Sequence, residues 1–132
     1  MIIINKNSIN TLALTLLEKS EYPNDYTYNL FVIENAETGE EKIFTGVKYS
    51  SDNIRYEKFY ITESATTENL LDGLINITGN TAQFNYKVYE SLTSFSANTL
   101  AVSATTGTII EQGRLLVKGI QNNNNTINDI YL

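Results

Sequence analysis

Hydrophobic and polar positions alternate most regularly over residues 82–90, Ala-Gln-Phe-Asn-Tyr-Lys-Val-Tyr-Glu. Phe84, Tyr86 and Val88 fall on one side, and Gln83, Asn85, Lys87 and Tyr89 on the other. A period of two built from aromatic and β-branched residues predicts a half-buried strand. Gly79-Asn80-Thr81 leads into it as a turn, so the stretch is expected at the centre of an antiparallel sheet. Upstream, Ile2-Ile3-Ile4 is either a first edge strand or an arm that pairs with another subunit. Residues 5–8 are polar and turn-like. Leu12, Leu14 and Leu16 then alternate with Thr11, Ala13 and Thr15. Leu and Ala also favour helix, but the strict alternation favours a second strand.

A polar loop over 18–25 carries the only proline, Pro23. Residues 26–34 predict a third strand with Tyr28, Leu30 and Val32 on one face. A hairpin loop over 35–40 follows, with Gly39 available for positive φ. The chain returns over 41–48 as a fourth strand anchored by Ile43 and Phe44. Residues 55–63 predict a fifth, with Glu57, Phe59 and Ile61 on one face and Tyr56, Lys58 and Tyr60 on the other. The connection 64–72 has room for one helical turn at 66–71, and 73–78 reads as a sixth strand. Residues 91–107 are rich in Ser, Thr and Ala and long for a connection in a compact domain; a helical turn is expected at 96–101. The last strand spans 108–119, where Gly113 suggests a bulge.

These elements predict an all-β fold, a single-domain antiparallel immunoglobulin-like β-sandwich of seven to eight strands over residues 1–119. No repeat of fixed period is present, which argues against a propeller or solenoid. The placement of Tyr86 soon after a turn resembles the tyrosine corner of immunoglobulin-like domains. The chain has no Trp and no Cys, so an antibody-type domain is excluded. Residues 120–132 form an Asn-rich tail that cannot build a core alone. Ile127, Ile130, Tyr131 and Leu132 at its end are expected to dock, on a neighbouring subunit in preference to this domain.

Composition narrows the chemistry. The 132 residues fit one domain that needs no covalent staple. Lacking Cys and His, the chain cannot build a thiolate metal site, a Ser-His-Asp triad or a Cys-His pair. The net charge is −6 and the nine basic residues are scattered, so no stripe for nucleic-acid phosphates is available. No stretch approaches the roughly 18 apolar residues of a membrane helix. Met1-Ile2-Ile3-Ile4 is cut off by Asn5 and Lys6, unlike a secretory signal, so the chain reads as soluble and made in a cytoplasm.

Carboxylates are the remaining candidates for chemistry. Glu63 with Glu68, or Glu90 with Glu111, would supply the two acids of a glycosidase. Glu63, Glu68 and Asp72 would suit calcium, although their spacing is not that of an EF-hand loop. Acidic side chains at strand ends and in loops are mostly solvated, and that reading is preferred. No catalytic, cofactor or metal-binding residue is therefore assigned, and no enzyme activity is expected.

Nine tyrosines are more informative. Tyr49, Tyr56, Tyr60 and Tyr89 fall opposite the expected core. There a tyrosine offers rigid contact area with a polar tip, for a protein partner or a carbohydrate; cross-strand packing on a solvated face is the alternative. With Ile2, Ile3, Ile4 and the four apolar tail residues, they make up the expected partner interface.

A family likeness runs through much of the chain. It is carried by residues 1–8 with Leu12-Ala13-Leu14-Thr15-Leu16, by Tyr28 to Asn35, by Glu41-Lys42-Ile43-Phe44, and by Arg55 to Glu63. It continues in Gly73 to Ile77, Phe84 to Glu90 and Glu111 to Val117. Together these resemble a family of small all-β virion proteins of tailed phages of Bacteroidota, including crAss-like phages. The resemblance implies an auxiliary, or decoration, capsid protein on the head exterior. It would bind the major capsid protein and neighbouring virion subunits, carry head fibres in some cases, and act as a multimer on the virion. A tail or fibre component, or a glycan-binding module using exposed tyrosines, is the alternative expectation.

Overall fold

The computed structural model describes residues 1–14, 28–49, 57–77 and 82–119. Nine strands run through them: β1 (Ile2–Asn5), β2 (Ile9–Leu14), β3 (Tyr28–Asn35), β4 (Glu41–Phe44), β5 (Val47–Tyr49), β6 (Glu57–Glu63), β7 (Leu74–Ile75), β8 (Ala82–Ser91) and β9 (Ile109–Lys118). They form two sheets. The larger has the order β1-β9-β8-β3-β4, and the smaller the order β2-β6-β5 with β7 beside β6. One apolar core draws on both, from Ile4, Phe31, Val88 and Val117 of the larger sheet to Leu12, Phe59, Ile61 and Ile75 of the smaller.

The alternation read in residues 82–90 is realised in β8, where Phe84, Tyr86 and Val88 are buried. β8 lies between β9 and β3, antiparallel to both. β3 is buried on both faces from Asn29 to Ile33. Its Phe31 stacks on Phe44 at 5.5 Å and meets Phe59 of the other sheet edge-on at 5.3 Å. Such aromatic pairs add about 0.5–1.5 kcal/mol beyond the area they bury. Gly39 takes φ +76° in the β3–β4 hairpin, as its sequence position predicts.

Three expectations are corrected. Residues 41–48 are two strands in different sheets, β4 in the larger and β5 in the smaller. Between them Thr45 leaves the ladder: its N–H donates to the Leu70 carbonyl and its hydroxyl to the Leu71 carbonyl, both at 2.8 Å. Gly46 lets the chain cross close to the core, since a Cβ there would lie 3.2 Å from the Phe59 Cβ. The sixth strand is only Leu74–Ile75, parallel to β6, because the polar groups of the next two residues are taken by charged side chains. The irregularity in β9 lies not at Gly113 but beside the step from Val88 to Tyr89 in β8. Gly113 instead makes room for Tyr86, whose ring carbon Cε1 would sit 3.1 Å from any Cβ at that position.

The connections differ in detail. Among the described residues, the 64–72 connection holds no helical turn; a tight turn at 70–73 is closed by a bridge between Asn69 and Leu74. In the long connection after β8 the helical turn falls later than expected, as a 3-10 helix over Val102–Ala104. The Pro23 loop, the 79–81 turn and the tail 120–132 lie outside the described residues.

Candidate functional site

Two of the five carboxylates expected to be solvated are not, while Glu68 and Asp72 are exposed and Glu111 is half-buried. Glu63 and Glu90 are each 1% exposed. Glu63 accepts hydrogen bonds from the N–H groups of Asn7 at 3.0 Å and Ile77 at 2.9 Å, and lies 3.6 Å from the Lys6 ammonium. Lys6 in turn donates to the Ile77 carbonyl at 2.6 Å. Next door, Glu68 accepts from the Asn76 N–H at 3.0 Å and pairs with Lys42, which donates to the Asn76 carbonyl at 2.6 Å. Two adjacent residues, Asn76 and Ile77, thus each have both main-chain polar groups held by a Glu–Lys pair. The Lys42 hydrogen bond, followed by that from Asn76, holds the Glu68 carboxyl below the usual carboxylate range.

This arrangement ends β7 and clips the segment after it to both sheets. Lys6 stands in the β1–β2 turn and Lys42 in β4. Each carboxylate faces its own lysine, Glu63 facing Lys6 and Glu68 facing Lys42. Glu90 lies opposite Asn29 in the β3–β8 register, and Glu111 opposite Val88. Among the described residues no group of acidic side chains converges as a metal cage. Asp72 accepts from the Asn69 amide at 2.8 Å.

The open end of the larger sheet is a stronger candidate. β1 is its terminal strand and pairs parallel with β9, Ile2 opposite Leu115 and Ile4 opposite Val117. Ile2 and Ile4 point into the core at 5% and 0% exposure, while Ile3 is 44% and Met1 82% exposed. Of the three isoleucines expected at a partner interface, only Ile3 faces solvent. The main chain alternates likewise. The Lys6 N–H donates to the Lys118 carbonyl of β9, whereas the Asn5 N–H turns away to the Asn10 Oδ1 at 2.8 Å. Ile3, two residues before Asn5, therefore directs its N–H and C=O to the open side.

Asn10 closes the inner end of that edge. It is buried and also donates to the Asn5 carbonyl at 3.1 Å, so its carboxamide imitates a paired strand. Beyond it a groove of about 450 Å³ runs between Met1 with Ile2 and Ile3 of β1 on one side and Thr11–Leu14 of β2 on the other, with Tyr86 and Glu111 also lining it. Burial, and then the nearby Glu111 charge, push the Tyr86 hydroxyl above its ordinary pKa, so it stays a neutral donor at the groove. The opposite edge of the sheet, β4, carries Glu41 and Lys42 and is the kind of charged edge that discourages strand addition.

The tyrosines are not brought together. Tyr60 is 38% exposed on the outer face of the smaller sheet, and Tyr89 is half-buried on the outer face of the larger. Tyr49 ends β5 opposite Lys58. Tyr56, Ile127, Ile130, Tyr131 and Leu132 lie outside the described residues. Sequence reading missed Lys6, Asn10 and Asn29. The available signal was phase: Asn10 shares the inward phase of Leu12 and Leu14, and Asn29 that of Phe31 and Ile33.

No family model matches the chain, and neither a search of curated proteins nor one of solved structures finds a match to it.

Proposed function

We propose that this chain is a non-enzymatic assembly protein that docks through the open β1 edge, and that its partner is the major capsid protein on the exterior of a tailed-phage head. The observation that carries the docking mode is the state of β1. It presents an outward peptide group at Ile3, exposed apolar side chains at Met1 and Ile3, and an adjoining groove. Strand addition to such an edge gives affinity from main-chain hydrogen bonds and selectivity from alternate side chains. On a shell that repeats its surface many times, modest contacts suffice when several are made at once. The sequence resemblance to virion proteins supports the choice of partner.

The sheet orders support an immunoglobulin-like reading of the fold. β2-β6-β5 corresponds to strands B, E and D, and β4-β3-β8-β9 to C′, C, F and G, with β1 added parallel to the last. Phe31 on β3 then stands near the place of the antibody core tryptophan, packed between Phe44 and Phe59.

Co-sedimentation of the full chain with shells assembled from the major capsid protein of a Bacteroidota tailed phage tests the function. Saturable binding by the native chain is expected. An Ile3→Pro variant should remain folded, because proline is tolerated on an edge strand where the N–H faces solvent, and its binding should fall by roughly tenfold or more for the lost hydrogen bond and altered edge. A native chain that stays in the supernatant at all shell concentrations contradicts the proposal.

A further inference from the structure

The outer face of the larger sheet carries its charges in two blocks. In β8 the exposed positions opposite the core include Asn85 and Lys87, and in β9 they include Gln112, Arg114 and Lys118. No acidic residue shares the outward positions from 83 to 87 and from 112 to 118. Three of the chain's nine basic residues, scattered in the sequence, thus meet on two neighbouring strands of a chain whose net charge is −6. The other block, β3 and β4, is acidic. Glu34 and Glu41 are exposed and stand directly opposite one another in the β3–β4 register. Like charges so placed destabilise a sheet. The turn between them adds the exposed Glu37 and Glu40. Its shape is held by the Asn35 Oδ1, which accepts from the Glu37 N–H at 2.8 Å and the Thr38 N–H at 3.1 Å.

Among the described residues, none of Glu34, Glu41, Lys87 and Arg114 has an ion-pair partner. The nearest cation to Glu34 in the register is Lys87, which stands only diagonally from it, opposite Val32. The Glu34–Glu41 repulsion therefore has no direct counter-charge among those residues. Across the sheet, one row consists of Glu41, Glu34, Asn85 and Arg114, on four successive strands. Neighbouring strands are about 4.8 Å apart, so the backbones of Glu41 and Arg114 are separated by about 14 Å, too far to pair within one molecule. Reversed, the same row sets a cation against the first acid and a carboxamide against the second. A second copy laid face to face, with the two-fold axis parallel to the strands between β3 and β8, makes that match twice. An Arg guanidinium grips a carboxylate in a two-pronged pair, and an Asn amide donates to a carboxylate. Such self-complementarity is what a two-fold interface demands.

We infer that this face pairs two copies of the chain about a two-fold axis, Arg114 of each on Glu41 of the other and Asn85 of each on Glu34 of the other. This goes beyond capsid docking and uses the face of the sheet, not the β1 edge, so either reading can fail without the other. Exposed ion pairs are individually weak, and the patch is smaller than the roughly 800 Å² per partner of a stable complex. Pairing is therefore weak in dilute solution and strengthened wherever copies are held close together. The test is NMR on the full chain without shells, diluted from about 1 mM in about 0.15 M salt. Amide shifts at Glu34, Glu41, Asn85 and Arg114 should fade on dilution, and translational diffusion should be slower at the higher concentration. Arg114→Glu and Glu41→Arg each set like charges face to face and should each abolish that concentration dependence while circular dichroism stays native. An equimolar mixture of the two variants restores opposite charges at both contacts and should recover association. A native chain whose shifts and diffusion ignore concentration overturns the inference. So does association that persists in both variants, or a mixture that behaves as its separate components do. Shifts at Lys87 and Arg114 on adding a short oligonucleotide to a chain that does not self-associate would assign the basic block to a polyanion and overturn it as well.

Discussion

At the scale of single residues, the fold depends on charges placed where the backbone needs partners. The side chain of Glu63 is 0% exposed, and the Lys6 ammonium lies 3.6 Å from its carboxylate. Removing one partner of a buried pair leaves an uncompensated charge, which costs about 3–5 kcal/mol. Lys6→Met should destabilise the chain by about that much in urea unfolding, and adding Glu63→Gln should recover part of the loss. Glu68 behaves differently because it is exposed. Its folded pKa lies below the 4.5 of the free side chain, through Lys42 and then the Asn76 N–H. Its contribution is therefore complete above pH 4.5 and is lost as pH falls through the folded value. The gap in melting temperature between the native chain and Glu68→Gln should accordingly be widest near neutrality and close in acid. Gly73 is a third sensitive point. It holds φ +68°, and a Cβ there would lie 2.8 Å from the Tyr60 carbonyl oxygen. Gly73→Ala should cost more than the roughly 1–2 kcal/mol of the left-handed conformation alone, again read by unfolding.

At the scale of elements, alternation was a good guide wherever one face of a strand is core and the other is not. β2, β6 and β8 follow it, with Leu12, Phe59 and Phe84 buried as their phase requires. It failed where the chain changes layer. Nothing in the run from Glu41 to Lys48 marks the step between sheets except Gly46, whose importance lies in its distance from Phe59. The shortness of β7 was equally hidden. Asn76 and Ile77 continue the alternation, but their main-chain polar groups bond to Glu68 and Glu63 of the preceding segment and to the distant Lys42 and Lys6. A polar residue in the inward phase was the one local sign of such arrangements, and it pointed to both Asn10 and Asn29. For β1, alternation of side chains predicts its behaviour as an edge: Ile3→Asp, which changes only the outward position, should leave the melting temperature nearly unchanged. Ile4→Asp, which places a charge in the core at a position 0% exposed, should prevent folding as judged by circular dichroism.

For the whole molecule, two sheets share one core and leave two ends with different character. One end has the open β1 edge and its groove; the other has a pocket lined in part by Asn29 and by Ser94 and Phe95 of the long β8–β9 connection. The two-sheet, all-β architecture could be read from strand patterning, because burying one face of each sheet leaves few other solutions. The edge position of β1 was one of two readings of Ile2-Ile3-Ile4, but its partner was not legible, since the parallel pairing of β1 with β9 joins residues more than a hundred apart in the chain. The central claim is that the open β1 edge pairs with a partner strand. Amide hydrogen exchange at Ile3, measured on the full chain with and without assembled capsid shells, tests it most directly. Exchange at Ile3 should be fast in the free chain and slow by an order of magnitude or more when shells are present. An Ile3 amide that exchanges at the same rate in the presence of shells that do bind the chain would contradict it.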